Sequence, residues 1–149
     1  MKSLNKHKIL VGIDTGVHTG FAVAIDYGNG GELIEVNSKT ITQAMARVIE
    51  LTQHYVKSNI QLYIEDARLR TWFTGGREKA QGVGSVKRDA QIWEDWCKEN
   101  QINYKMIHPK ANSTKCKAEY FQKITGWTGR TNEHARDAAM LVFGRYAKF

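Results

Sequence analysis

Three acidic residues stand where acids are not expected. Asp14 closes the apolar run Leu10-Val11-Gly12-Ile13, and Glu65 ends the other segment that reads as a central strand, 60–65 (IQLYIE). Asp137 lies beside Ala138 and Ala139, three residues after His134, a spacing that puts both on one face of a helix. A carboxylate at the end of a buried strand is partly desolvated, which is costly unless positive charge meets it. Three converging carboxylates repel one another and are driven toward protonation. Hard divalent cations remove that conflict, and oxygen-only ligands suit magnesium (Mg2+) or manganese (Mn2+), which keep waters and bind phosphate. Two such ions about 4 Å apart activate a water and stabilise the leaving oxygen in phosphodiester hydrolysis. Each residue also has an ordinary explanation. An Asp after a strand is a turn former, Asp66 competes with Glu65 as the inward acid, an Asp on a helix is commonly solvated, and a lone His is commonly a surface or cap residue. The conjunction carries the argument, because each residue falls at the end of a predicted element.

The elements that must position these residues follow from hydrophobic period. Residues 8–14 (KILVGID) and 20–26 (GFAVAID) read as strands joined by a turn over 15–19. The segment YGNGG at 27–31 is a hairpin signal leading to a third strand over 33–39, which completes an antiparallel meander. The period then becomes helical, with Met45, Val48, Ile49, Thr52 and Val56 on one face of a helix from Thr42. Residues 60–65 (IQLYIE) form a fourth strand, which a crossover helix makes parallel to the first. A loop follows over 68–79, and then a helix over 83–98 that buries Val86, Ala90, Trp93 and Cys97. A fifth strand spans 103–107, a basic loop 109–117, a short helix 118–124 stopped by Gly126, and a last helix 132–146. The expected fold is α/β: a five-stranded mixed sheet, three strands antiparallel and two parallel, flanked by helices. If the first and fourth strands are neighbours, Asp14 and Glu65 end side by side, at about the 4.8 Å strand spacing.

Composition narrows the function. The chain has 149 residues, 42% hydrophobic and 25% charged, with one proline and two cysteines, Cys97 and Cys116. This excludes a disulfide scaffold and a Cys-rich zinc module, and the thiols fit a reducing compartment. No apolar run reaches membrane-spanning length and no export signal is read, so a soluble cytoplasmic protein is expected. The net charge of +7 is uneven. Residues 1–67 carry six basic and seven acidic side chains, whereas 68–149 carry sixteen and eight. A basic half on a small domain is the footprint of a polyanion partner.

The acid-bearing segments resemble the RuvC family of Holliday junction resolvases, within the retroviral integrase/ribonuclease H superfamily. Residues 12–20 (GIDTGVHTG) resemble the family's opening Gly-[Ile/Leu]-Asp-Pro-Gly…Thr-Gly, with Thr15 in place of the proline. Residues 62–66 (LYIED) resemble the segment of the second catalytic acid, 134–139 (HARDAA) the C-terminal helix, and 80–84 (AQGVG) the entry to the second helix. The resemblance implies a ribonuclease H-like fold, with residues 1–149 as a single nuclease domain. It implies Asp14, Glu65 and Asp137 as ligands of Mg2+ or Mn2+, two ions per site, with His134 as a fourth active-site residue. The implied reaction is metal-dependent hydrolysis that resolves four-way junctions or other branched DNA. The resemblance also implies a homodimer formed through the second helix, where Trp93 and Trp96 either face a partner or fill the core. The compact size is similar to phage-encoded relatives, for which the setting is the host cytoplasm.

Substrate contacts are expected from the loop after Glu65, where Arg68 and Arg70 precede Trp72 and Phe73, followed by Arg77. Arginines neutralise phosphates, and an exposed aromatic stacks on an unpaired base; the ordinary alternative packs both aromatics in the core. Lys87 on the second helix, and Lys110 and Lys117 in the basic loop, complete the candidates. Two other nucleic-acid readings share the fold: a ribonuclease H acting on RNA–DNA hybrids, and a non-catalytic branched-DNA-binding module. An actin-like nucleotide-binding domain is discounted, since one such domain cannot enclose a nucleotide; no nucleotide cofactor is expected.

Overall fold

The computed structural model describes residues 7–69, 77–109 and 116–146, with the side chains of 77–83 and 86 excepted. At its centre is β1 (Lys8–Asp14), buried from Ile9 to Ile13. It pairs antiparallel with β2 (Thr19–Asp26), which pairs antiparallel with β3 (Gly31–Lys39). On its other side β1 pairs parallel with β4 (Ile60–Glu65), and β4 pairs parallel with β5 (Asn103–Ile107). The order β3-β2-β1-β4-β5 is the expected meander extended by two parallel strands. The β2–β3 hairpin closes as its sequence requires: Gly28 and Gly30 take φ of 95° and 142°, and the Gly28 amide donates to Asp26 Oδ1 at 2.8 Å.

Helix α1 (Ile41–His54) starts at a capping box, in which Thr40 Oγ1 accepts from the Gln43 amide and Gln43 Oε1 accepts from the Thr40 amide. Its buried face is Ala44, Val48 and Leu51. The predicted stripe is therefore rotated: Ile49 is exposed, and Val56, also exposed, lies beyond the helix end. Helix α2 (Arg77–Glu99) begins six residues before the predicted start, and its backbone runs through Gly82 and Gly84. The loop expected over 68–79 is thus shortened at both ends, because Ala67–Leu69 forms a 3-10 turn. Ala90, Trp93 and Cys97 are buried as expected. Trp96 packs against the same cluster, its ring 5.6 Å from that of Trp93 in an edge-on contact, so both tryptophans serve this chain's own core. Helices α3 (Ala118–Thr125) and α4 (Glu133–Tyr146) complete the order, α3 ending at Gly126 with φ 76°. No described helix is long and apolar enough to cross a membrane.

The sheet has two unlike faces. Ile9, Val11, Ile13, Phe21, Val23, Ile60, Leu62 and Ile64 pack against α1 and α2. Leu10, Ala22 and Ala24 pack against α3 and α4, which contribute Phe121, Ala135, Ala138, Ala139 and Val142. On this second face α4 approaches so closely that a Cβ on Gly12 would lie 2.1 Å from the Ala138 carbonyl oxygen. A Cβ on Gly20 would lie 1.9 Å from that of His134.

Candidate active site

Strand parity places the acids. In β1 the odd-numbered residues Ile9, Val11 and Ile13 face α1 and α2, so Leu10, Gly12 and Asp14 face α4. In β4 the even-numbered residues face α1 and α2, so Tyr63 and Glu65 face α4. The register aligns Ile13 with Ile64, and one step further Asp14 and Glu65 end neighbouring strands on the same face. Thr15 ties these ends together, its hydroxyl donating to the Glu65 carbonyl at 3.4 Å. That bond is unavailable to the proline of the resembling motif.

Gly20 lets the first turn of α4 settle over Asp14. There His134 Nδ1 lies 3.3 Å from Asp14 Oδ2, with 14% of the Asp14 side chain and 51% of the His134 side chain exposed. An ionised carboxylate only accepts, so the ring nitrogen facing it carries the proton, and in the neutral ring Nε2 keeps its lone pair. The start of α4 is secured by Asn132, whose Oδ1 accepts from the Ala135 amide at 2.9 Å. Arg136 secures it further, donating to the Cys116 carbonyl at 2.7 Å and to the Thr131 carbonyl and hydroxyl at 3.1 and 3.0 Å. Asp137, half-buried on the next residue, adds to the effect of burial in pushing the Cys116 thiol above its usual range.

The structure thus gathers Asp14, Glu65 and His134 at one edge, with Asp137 on the helix above. Among the described residues no three His, Cys, Asp or Glu side chains converge closely enough to hold a metal ion. The donor chemistry at the strand ends nonetheless fits a hard divalent cation, since two carboxylates are fixed on neighbouring strands and face the same way.

Asp66 is placed differently. It is buried on the opposite side of the β4 terminus and gripped by Arg68, whose Nε and terminal nitrogen donate to Oδ1 and Oδ2 at 2.7 and 2.8 Å. Arg68 also donates to Glu94 Oε1 at 3.0 Å and to Gln91, and Tyr104 donates to Glu94 Oε2 at 3.1 Å. The hydrogen bond to Asp66 leads in raising the Arg68 pKa against the opposing effect of burial. This candidate phosphate contact is therefore engaged inside the protein. Lys87 is half-buried on α2, and Lys117 is exposed at the start of α3. Arg70, Trp72, Phe73 and Lys110 lie outside the described residues, as does the side chain of Arg77.

One residue at this edge escaped the sequence reading. His18, on the β1–β2 turn, lies with its ring 6.3 Å from that of His134 and tilted by 29°. Its position within GIDTGVHTG was the available signal, but the fixed glycines, Thr and Asp of that motif draw attention away from it.

The fold is shared with known structures. RuvC of Thermus thermophilus, solved in complex with its Holliday junction substrate, superposes with a TM-score of 0.58 at 16% identity, over 91% of this chain and 90% of that one. A second T. thermophilus RuvC structure gives 0.55 at 17% identity, over 89% and 92%. The chain therefore has the RuvC-like form of the ribonuclease H fold, as the sequence predicts. No protein-family model and no curated protein matches the chain.

Proposed function

We propose that this protein is a structure-selective endonuclease that resolves four-way junctions or other branched DNA by divalent-metal-dependent phosphodiester hydrolysis. The observation that carries the reading is the pair of carboxylates, Asp14 and Glu65, closing neighbouring parallel strands on one face beneath the start of α4. The likeness in fold to a junction-bound RuvC supplies the substrate class. Residues 1–149 act as one nuclease domain in the cytoplasm, as a homodimer.

Asp14 and Glu65 hold the cation, with Asp137 approaching from α4. Mg2+ or Mn2+, when bound, neutralises phosphate charge and makes water more acidic. His134, its Nδ1 proton committed to Asp14, presents Nε2 to accept a proton from the attacking water. The water oxygen bonds to phosphorus, the bond from phosphorus to the 3′ oxygen breaks, and that oxygen takes up a proton as it leaves. Lys87 and Lys117, with Arg70, Trp72, Phe73, Arg77 and Lys110, contact the DNA.

The test is cleavage of a labelled four-way junction, a linear duplex and an RNA–DNA hybrid in magnesium, manganese or EDTA. Paired nicks on the junction that vanish in EDTA support the proposal. Preferential cutting of the hybrid replaces it with a ribonuclease H reading. Tight junction binding without cleavage under either metal replaces it with a branched-DNA-binding module.

A further inference from the structure

The geometry points to His18 as a substrate-binding residue of this site, a second imidazole that contacts the phosphodiester backbone of the strand lying over Asp14. The inference rests on the proposed nuclease reading and adds to it a residue outside the acidic set. His18 is exposed, and it makes no hydrogen bond or ion pair with any described residue. Its ring lies 6.3 Å from that of His134, tilted by 29°, so the two imidazoles sit at the same edge. The turn that carries it is stiff. Thr19 is fully buried and donates its hydroxyl to the Gly16 carbonyl at 2.8 Å, and Thr15 anchors the other end to Glu65. A turn braced at both ends has already given up the backbone freedom that binding otherwise takes. Whichever tautomer it adopts, its N–H is available to a phosphate oxygen. His134 differs in being engaged with Asp14, so the two rings divide the work: one is committed to the acid, the other faces outward at the rim. Next to His18, Val17 is 73% exposed, so the tip of the turn is open to a bound strand.

The experiment compares wild type with His18→Ala and His18→Arg, the turn being exposed enough to keep both folded. Binding to a labelled four-way junction is measured in EDTA, and cleavage kinetics in magnesium. Loss of one phosphate hydrogen bond predicts about a tenfold weaker Kd for His18→Ala, with a matching rise in KM rather than a fall in kcat. His18→Arg, which restores a phosphate donor but not the ring contact, is expected to recover most of the affinity. Unchanged Kd and KM in His18→Ala overturn the inference, and so does a fall in kcat alone, which would make His18 a prop for His134. If wild type binds but never cleaves, and His18→Ala still weakens binding, the nuclease reading fails while the contact stands. A wild type that binds no junction removes both.

Discussion

The two faces of the sheet are built on opposite principles. Under α1 and α2 the strands present large side chains, and Trp93, Phe21, Leu51 and Ile64 interdigitate there without exposure. Each such residue stabilises the fold by about 1.5–3 kcal/mol through burial. Under α4 the strands present Gly12, Gly20, Ala22 and Ala24, and the helix answers with Ala135, Ala138 and Ala139. These bury less area, but they let the helix backbone come within contact of the strands, and that approach lays His134 on Asp14. One face supplies stability and the other supplies position. The same division separates two acids adjacent in sequence. Asp66 is matched by a guanidinium fork within the protein, whereas Glu65, one residue earlier and on the other face, joins Asp14 at the candidate site.

The largest effect that sharpens this contrast is on catalysis. Asp14→Asn is expected to reduce metal-dependent junction cleavage by about 10²-fold or more in single-turnover assays, while thermal unfolding changes little. A variant that cleaves like wild type breaks the assignment of the α4 face to chemistry. On the opposite side of the β4 terminus the effect should appear in stability. Arg68→Met leaves the buried Asp66 carboxylate without its fork and is expected to cost about 3 kcal/mol in denaturant unfolding.

A matched pair of packing variants tests the faces directly. Leu51→Ala on the large-residue face should lose about 3 kcal/mol and leave kcat intact. Gly20→Ala should lose about 1–3 kcal/mol, because its Cβ collides with the His134 carbonyl, and cleavage should fall as well because α4 must move. Equal kcat values in the two variants would erase the proposed difference. The smallest effect concerns Tyr146, at the far end of α4. Burial pushes its hydroxyl up to about 12 from an ordinary 10, so the folded state keeps a proton that the unfolded chain has already released. Stability that is complete below pH 10 is therefore given up as pH rises toward 12, and Tyr146→Phe should flatten that decline in alkaline melts.

Local patterns made much of this legible. Asp14 and Glu65 close strand-like segments, and the switches between period two and period 3.6 mark five strands and, apart from the start of α2, four helices close to their observed limits. The stripe on α1 holds at Met45 and Val48 but fails at Ile49 and Val56, because Ala44 is weakly hydrophobic and Ile49 strongly so, yet contact with the sheet selects Ala44, Val48 and Leu51. The expected start of α2 at residue 83 falls six residues late, since the helix begins at Arg77 and runs through Gly82 and Gly84.

By itself the sequence determined the elements, their order and the acids at their ends, since period and terminal residues are properties of neighbours along the chain. Only the tertiary structure decided between Glu65 and Asp66, because a one-residue change in strand parity exchanges the two faces and Arg68 settles which carboxylate is buried. It also brought His134 to Asp14 across 120 residues and set His18 against the same ring. No local pattern encodes those meetings. They follow from the close seat of α4 on Gly12 and Gly20, where the absence of two side chains fixes the distance between a helix and a sheet.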